Sequence, residues 1–210
     1  MKSIRFSIAI ILSLVLLMQP LAVSASTAGE KVITDIYQEE FSETVEIEGV
    51  DYTYYYFYDD ENNRNIKIVN QDTQSVDMVE CNIDTGSIYL NGELCGTGSS
   101  SQIQEDVQTR ADSWIYMTTM TDQISWSNGA GVAVIAGIIA AAIGEVTGAH
   151  VISIMGNALS TIAGSAIGGT IRNSIYKFNS TLIHQFRYNW SFTDSTGDYY
   201  GPYTSFSPAY

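Results

Sequence analysis

Polar and apolar residues alternate with a period of two in the first half of this 210-residue chain. The run 52–58, YTYYYFY, has the composition of a β-strand. Asn91-Gly92 is a dipeptide that two-residue hairpin turns favour. Short strands separated by turn residues indicate antiparallel pairing. We therefore predict an acidic antiparallel β-meander in residues 26–98.

The same alternation returns near the end of the chain. Aromatic residues occupy every second position from Phe186 to Phe192, and the residues between them are polar or charged. The run DSTG at residues 194–197 has the composition of a turn. This pattern predicts a C-terminal β-hairpin within residues 172–210.

Residues 129–171 separate the two regions and are almost entirely apolar, with Glu145 as the single formal charge. As helices, residues 129–144 are too short to cross a bilayer core of roughly 30 Å, whereas residues 149–171 are long enough. We predict a hydrophobic helical hairpin here, preceded by a linker with a weak helical pattern in residues 99–128. With the strands, this arrangement gives an α+β fold.

Small residues recur every four positions in both apolar segments, which places each set on one helix face. Such faces let two helices pack closely, as in the glycine zippers of membrane proteins. One interpretation is that the hairpin inserts into a membrane through these residues, and the other is that it forms the buried core of the protein. The periodicity leaves both open. The residues are Ala136, Ala140, Gly144, Gly148, Gly156, Ser160, Gly164 and Gly168.

The first 25 residues have the three parts of a secretory signal peptide. Lys2 and Arg5 form its basic region, residues 8–18 are apolar, and residues 23–25 form a small-residue cleavage site. We therefore expect a secreted, extracellular protein that associates with membranes if the hairpin inserts.

The formal charge of the chain is strongly uneven. Removing Lys2 and Arg5 with the leader changes the net charge from −14 to −16. Residues 26–125 contain 20 acidic and 4 basic residues, whereas residues 126–210 contain three of each. Nucleic-acid binding requires a basic surface, so we do not expect a nucleic-acid partner.

The sequence contains no recognisable catalytic or metal-binding motif, and we expect a protein that is not an enzyme and has no cofactor. Export permits a disulfide between Cys81 and Cys95. The turns between them place the two residues on strands two apart, about 10 Å between Cα atoms, whereas a disulfide tolerates about 7 Å. Either a strand curls or the thiols stay free.

Glu145 and His150 lie at the turn of the predicted hairpin. One hypothesis is a pH-sensing turn, because protonating these side chains changes the cost of placing them in lipid. The other is that both residues belong to a solvated loop between two helices.

Four features resemble the geobacillin-type large secreted antimicrobial proteins of Gram-positive bacteria. They are the leader, the string TGSIYLNGE at residues 85–93 in the acidic meander, the Gly/Ala-rich apolar segment, and YGPY at residues 200–203 after an aromatic strand. The resemblance implies a secreted bacteriocin-like protein that acts on competing bacteria. It supplies no catalytic residues.

Two functions are therefore expected. In the first, the hairpin perturbs the membranes of competing bacteria, with membrane lipid as the partner, and self-association and a cognate immunity protein as further partners. Cleavage near Arg110 would then release the C-terminal part. In the second, the protein is a secreted or cell-surface binding protein without enzymatic activity, and the hairpin is its buried core. The core hypothesis predicts that Gly164→Leu overpacks a helix crossing and unfolds the protein.

Overall fold

Ten β-strands pair in chain order within one antiparallel sheet in a computed structural model of the protein. The structure describes residues 41–61, 63–101, 113–180 and 183–207, which belong to one compact unit. The predicted α+β class and β-meander are confirmed. The strands are β1 (Phe41–Ile47), β2 (Val50–Tyr58), β3 (Arg64–Asn70), β4 (Val76–Cys81), β5 (Ser87–Leu90), β6 (Glu93–Ser101), β7 (Trp114–Ser125), β8 (Gly168–Phe178), β9 (Phe186–Asp194) and β10 (Tyr199–Phe206).

Tight turns keep neighbouring strands together. Asn91 and Gly92 join β5 to β6 with φ angles of 52° and 83°. Glu48 and Gly49 join β1 to β2 with φ angles of 54° and 83°. Two successive positive φ angles match the right-handed twist of paired strands, which explains why each turn closes a hairpin with only two residues.

Three helices connect β7 to β8: α1 (Val132–Ile143), α2 (Gly148–Met155) and α3 (Asn157–Ser165). Gly144 ends α1 with a φ of 120°, and Gly156 separates α2 from α3 with a φ of 52°. Glycine adopts such angles at little cost, so α1 and α2 end where the chain can turn.

The helices cover one face of the sheet, and the core lies between the two layers. Alternate strand residues point toward α1, among them Ile66 and Ile68 of β3 and Val79 of β4. Together with the isoleucines of α1 they form one continuous apolar cluster. We call the opposite side of the sheet the outer face.

Both edge strands contact α2. The backbone N–H of Ala149 donates to Glu43 Oε1 of β1 at 3.2 Å. The neighbouring residue, His150, forms a 3.0 Å hydrogen bond between its Nε2 and Ser205 Oγ of β10. The sheet therefore curves around the helices far enough for its first and last strands to reach the same helical turn.

The segment predicted as a linker or helix, residues 99–128, contains β7 instead. β7 pairs with β6 on one side and with β8 on the other. Pairing on both sides overrides the weak helical pattern, because strand formation depends strongly on neighbouring strands. Arg110 and the proposed cleavage position lie outside the described residues, as does the predicted signal peptide, 1–25.

The predicted helical segment 129–171 also ends too late. Its last residues, from Gly168 onward, already belong to β8. The region predicted as a C-terminal hairpin, residues 172–210, accordingly contains most of β8 as well as β9 and β10. All three strands continue the single sheet.

Of the two alternatives for Cys81 and Cys95, the structure has the free thiols and not the disulfide. Cys81 lies on β4 and Cys95 on β6, with β5 between them. The separation by two strand spacings that argued against the bond is therefore present. Burial raises the pKa of both thiols, and that of Cys95 is about 11.

Candidate functional site

The small residues of the first apolar segment pack against the sheet. Ala136 and Ala140 are fully buried in α1. At Gly148 the ring of Tyr54 occupies the space that a Cβ would need, and at Gly144 a Cβ would lie 3.5 Å from the ring of Tyr188. The close approach that these residues allow is therefore between helix and sheet.

The small residues of the second segment have a different environment. Gly156, Ser160 and Gly164 are exposed, and no atom lies within 4 Å of a Cβ built at Gly156 or Gly164. Gly168 is buried, but it begins β8. The prediction that these four residues form one helix-packing face is wrong, because the helix is interrupted at Gly156 and replaced by a strand at Gly168.

Arg64 holds the C-terminal end of α1. Its guanidinium donates from Nη1 to the carbonyls of Ala140, at 3.2 Å, and Gly144, and from Nη2 to the carbonyl of Val146 at 2.6 Å. Asn173 Nδ2 donates to the carbonyl of Ile143 at 2.8 Å. These bonds supply donors to carbonyls that a helix end leaves unpaired, and the cation suits the negative end of the helix dipole.

Two tyrosines of β2 attach the helices at other points. Tyr54 OH donates to the carbonyl of Ala133 in α1 at 2.9 Å. Tyr56 OH accepts from the N–H of Gly148 at 2.7 Å and donates to Glu43 Oε1 at 2.6 Å. Tyr54 and Tyr56, two tyrosines of the run 52–58, therefore anchor the helical layer.

Among the described residues, no single helix has the length and hydropathy to cross a bilayer. α1 and α2 meet that test only as a pair, bent by 106° at the break between them.

His150 connects α2 to β10. Its partner Ser205 is fully buried, and Ser205 Oγ also accepts a 2.9 Å hydrogen bond from Trp190 Nε1. Desolvation lowers the pKa of His150, while the charge of Glu43 opposes that shift. A serine hydroxyl enclosed in this way cannot be reached by a substrate, so the Ser–His pair joins two elements instead of forming a catalytic pair. The predicted partner of His150 in a pH-sensing turn, Glu145, is half-buried in the link between α1 and α2.

The outer face of β7, β8, β9 and β10 carries a groove of about 720 Å³, which we call the outer groove. Seven of its eight lining side chains carry a hydroxyl group, and the eighth is an arginine. The lining residues are Tyr116, Thr119, Thr121, Thr170, Arg172, Ser191, Thr193 and Tyr199.

A β-bulge helps to build this groove. The register of β7 against β8 shifts between Tyr116 and Thr118, so that Tyr116 and Thr119 both face outward. Their oxygens form a 2.9 Å hydrogen bond, and Thr119 Oγ1 forms another with Ser174 Oγ at 2.8 Å. The hydroxyl groups are therefore held in place by one another.

Arg172 is the only cation of the lining. It lies on β8 directly between Thr121 of β7 and Ser191 of β9, and its side chain is exposed. The groove thus offers a guanidinium surrounded by hydroxyl groups.

An aromatic cluster borders the groove on the same face. Tyr116 packs edge-on against Tyr176, with ring centroids 5.6 Å apart. The guanidinium of Arg187 lies 4.3 Å from the centroid of Tyr176 and 5.1 Å from that of Trp114. Trp114 also contacts Phe206, which is 49% exposed. Flat apolar rings are therefore available next to the hydroxyl groups.

The most perturbed carboxyl lies on the other side of the sheet. Asp122 is buried toward the helices, and desolvation raises its pKa to about 7. Its Oδ2 has no hydrogen-bond partner among the described residues. It is no part of the outer groove.

Sequence reasoning missed the outer groove. Its clearest signal is the alternation of Thr170, Arg172 and Ser174 with Ile171 and Asn173. That alternation predicts a strand, but its first residues also fall within the segment 129–171 that is predicted as helical.

Comparisons of the chain with protein-family models, curated proteins and solved structures found no match. The resemblance to the geobacillin-type proteins stays a prediction.

Proposed function

We propose that this protein is a secreted, non-enzymatic binding protein that holds a saccharide in the outer groove. The burial of α1 carries the proposal. Its isoleucines, Ile135, Ile138, Ile139 and Ile143, are at most 1% exposed. The first part of the apolar segment thus serves as the core, and the face of the sheet opposite the helices remains for a ligand.

The chemistry of the groove favours a saccharide. Hydroxyl groups both donate and accept hydrogen bonds, which suits a ligand that is itself rich in hydroxyl groups. The rings of Tyr116 and Tyr199 present flat apolar surfaces. The volume of about 720 Å³ is in the range of small-molecule sites. The lining contains no carboxylate, imidazole or thiol among the described residues, so it offers groups for binding and none for acid–base catalysis.

Membrane perturbation by a bacteriocin-like protein is the second hypothesis, favoured by the bent pair of α1 and α2. It requires α1 to exchange its contacts with the sheet for contacts with lipid. Apolar side chains lose little free energy in that exchange, because both environments are apolar. The carbonyls bound by Arg64 would lose their donor, and in hydrocarbon no water replaces it.

Two measurements on the chain without residues 1–25 separate these functions. The first is binding to an array of neutral and acidic saccharides, and the second is dye release from vesicles of bacterial lipids at pH 7.5 and 5. We expect retention on saccharides and no dye release at either pH.

A matched pair of variants tests the location of the site. Thr193→Trp fills the outer groove, whereas Thr97→Trp places the same ring on an exposed outer position of β6 that is outside the lining. Loss of binding in the first variant only is expected. Dye release without saccharide binding would overturn the proposal, and equal binding by both variants would remove the outer groove as its site.

A further inference from the structure

Among the described residues, Arg172 has no acidic neighbour on the outer face. Its cross-strand neighbours are Thr121 and Ser191, and the outward-facing residues on either side of it along β8 are Thr170 and Ser174. No hydrogen bond or ion pair of its guanidinium is recorded among the described residues. An arginine has five N–H donors and a permanent positive charge, so its side chain is available to a ligand.

This is unusual on a chain with a net charge of −14. The three acidic residues of the C-terminal region avoid the groove. Glu145 links α1 to α2, and Asp194 is buried and accepts hydrogen bonds within its own turn, from Thr196 among others. Asp198 lies in that same turn, before β10. In the part of the chain that the structure describes, no carboxylate therefore balances the charge of Arg172.

We propose that the outer groove binds a hydroxyl-rich polymer that carries anionic groups, and that Arg172 pairs with one of these groups. This inference rests on the proposed saccharide-binding function and specifies its ligand. A guanidinium forms two parallel hydrogen bonds with a carboxylate or a phosphate, which gives both affinity and orientation. The threonine and serine hydroxyls on both sides of Arg172 bind the hydroxyl groups that flank the anion.

The dimensions of the groove fit a polymer better than a single sugar. Tyr116 on β7 and Tyr199 on β10 are three strand spacings apart across the sheet, roughly 14 Å. Along the strands they are level with Arg187 and Thr193 of β9, which are six residues or roughly 20 Å apart. The aromatic cluster with Trp114 and Tyr176 extends the same surface beyond Tyr116. A chain of several units therefore contacts a ring at each side and Arg172 between them.

Two polymers supply this chemistry, one with phosphate groups and one with carboxylates. The test measures dissociation constants for a polyol-phosphate polymer, a polysaccharide of uronic acids and a neutral polysaccharide of similar length, at 20 and 150 mM salt. We expect the anionic polymers to bind at least about tenfold more tightly than the neutral one, because hydrogen bonds to charged groups are stronger than neutral ones. The tighter of the two anionic polymers identifies the natural group.

Two variants of Arg172 separate the effect of its positive charge from that of its paired hydrogen bonds. Arg172→Gln should weaken binding of the anionic polymer about tenfold and leave neutral binding unchanged, and Arg172→Lys should restore only part of the loss because lysine cannot form the paired hydrogen bonds. Lys67→Gln removes the same charge from the outward-facing side of β3 and should change binding less than twofold.

The outcomes distinguish this inference from the function on which it rests. Equal binding of neutral and anionic polymers, with no effect of Arg172→Gln, would overturn the proposal of an anionic ligand. The proposed saccharide-binding function would stand. Absence of binding to all three polymers would overturn both.

Discussion

α1 and α3 come from the same apolar stretch and carry small residues at the same spacing, yet they have opposite environments. In α1 the residues between the small ones are also apolar, and the helix is buried along nearly its whole length. In α3 they include Asn157, Thr161 and Ser165, and only Leu159 and Ile162 are buried. Small-residue spacing shows where a helix permits close packing, whereas the residues between decide whether anything packs there.

The polar contacts differ in the same way. α1 is held by Arg64, Tyr54 and Asn173 from three strands of the sheet. Among the described residues, α3 forms one hydrogen bond to the sheet. Ser160 Oγ donates it to Glu48 Oε1 at 3.4 Å. The first helix is thus fixed in position by the sheet, and the last is held mainly by two apolar side chains.

The largest effect is expected from Arg64→Met. The carbonyls of Ala140, Gly144 and Val146 lose their donor while they remain at a buried helix end. Unpaired buried groups of this kind should lower the free energy of unfolding by about 3 kcal/mol or more, measured by denaturant titration. Lys67→Met on the same strand faces outward and should cost less than about 1 kcal/mol. Equal losses in the two variants would show that Arg64 does not anchor α1.

The same substitution at two glycines should have opposite effects. Gly148→Ala places a methyl group where the Tyr54 ring lies, and that ring is held by its bond to Ala133. We expect a loss of about 1–3 kcal/mol from overpacking.

Gly164→Ala serves as the control, because a methyl group there meets no other atom. Alanine favours a helix over glycine, so this variant should gain up to about 1 kcal/mol in thermal or denaturant unfolding. The expectation that Gly164→Leu overpacks a helix crossing is wrong for the same reason. A loss at Gly164 as large as that at Gly148 would contradict the contrast between the two segments.

The smallest effect concerns pH. The pKa of His150 is lowered in the folded protein below its value in the unfolded chain. The unfolded chain therefore binds more protons as pH falls through this range, and the stability present at pH 7.5 should decline toward pH 5.5. Because His150 is largely exposed, the change should be below about 1 kcal/mol. Replacing His150 by Gln should remove it, whereas replacing the exposed His184 by Gln should not.

The sequence predicted the strands better than the helical region. Alternation and the Asn91-Gly92 turn locate strands because both signals are local. The extent of the helices depends on positions where the backbone reverses, Gly144 and Gly156, and a glycine in an apolar run does not reveal its φ angle. β8 was missed at its start because Gly168 and Gly169 are as apolar as the helix before them.

The candidate site was harder to predict. Its residues come from four strands, and their hydroxyl side chains are common on any exposed sheet face. What makes Arg172 distinctive is that its neighbours among the described residues of β7 and β9 are not acidic, which depends on the pairing of β8 with these two strands. That pairing joins residues such as Thr121 and Arg172, which are separated in the chain by all three helices. Local patterns carry no information about it.

The contact of α2 with both edge strands has a consequence for how the chain folds. Each strand pairs with its neighbours in the chain, and most of the connections are short loops that close at little entropic cost. The bond from Ala149 to Glu43 instead joins residues 106 positions apart, and that from His150 to Ser205 spans 55. The sheet is therefore able to assemble hairpin by hairpin, and we expect the seating of α2 to be a late step, because it needs both ends of the sheet in place.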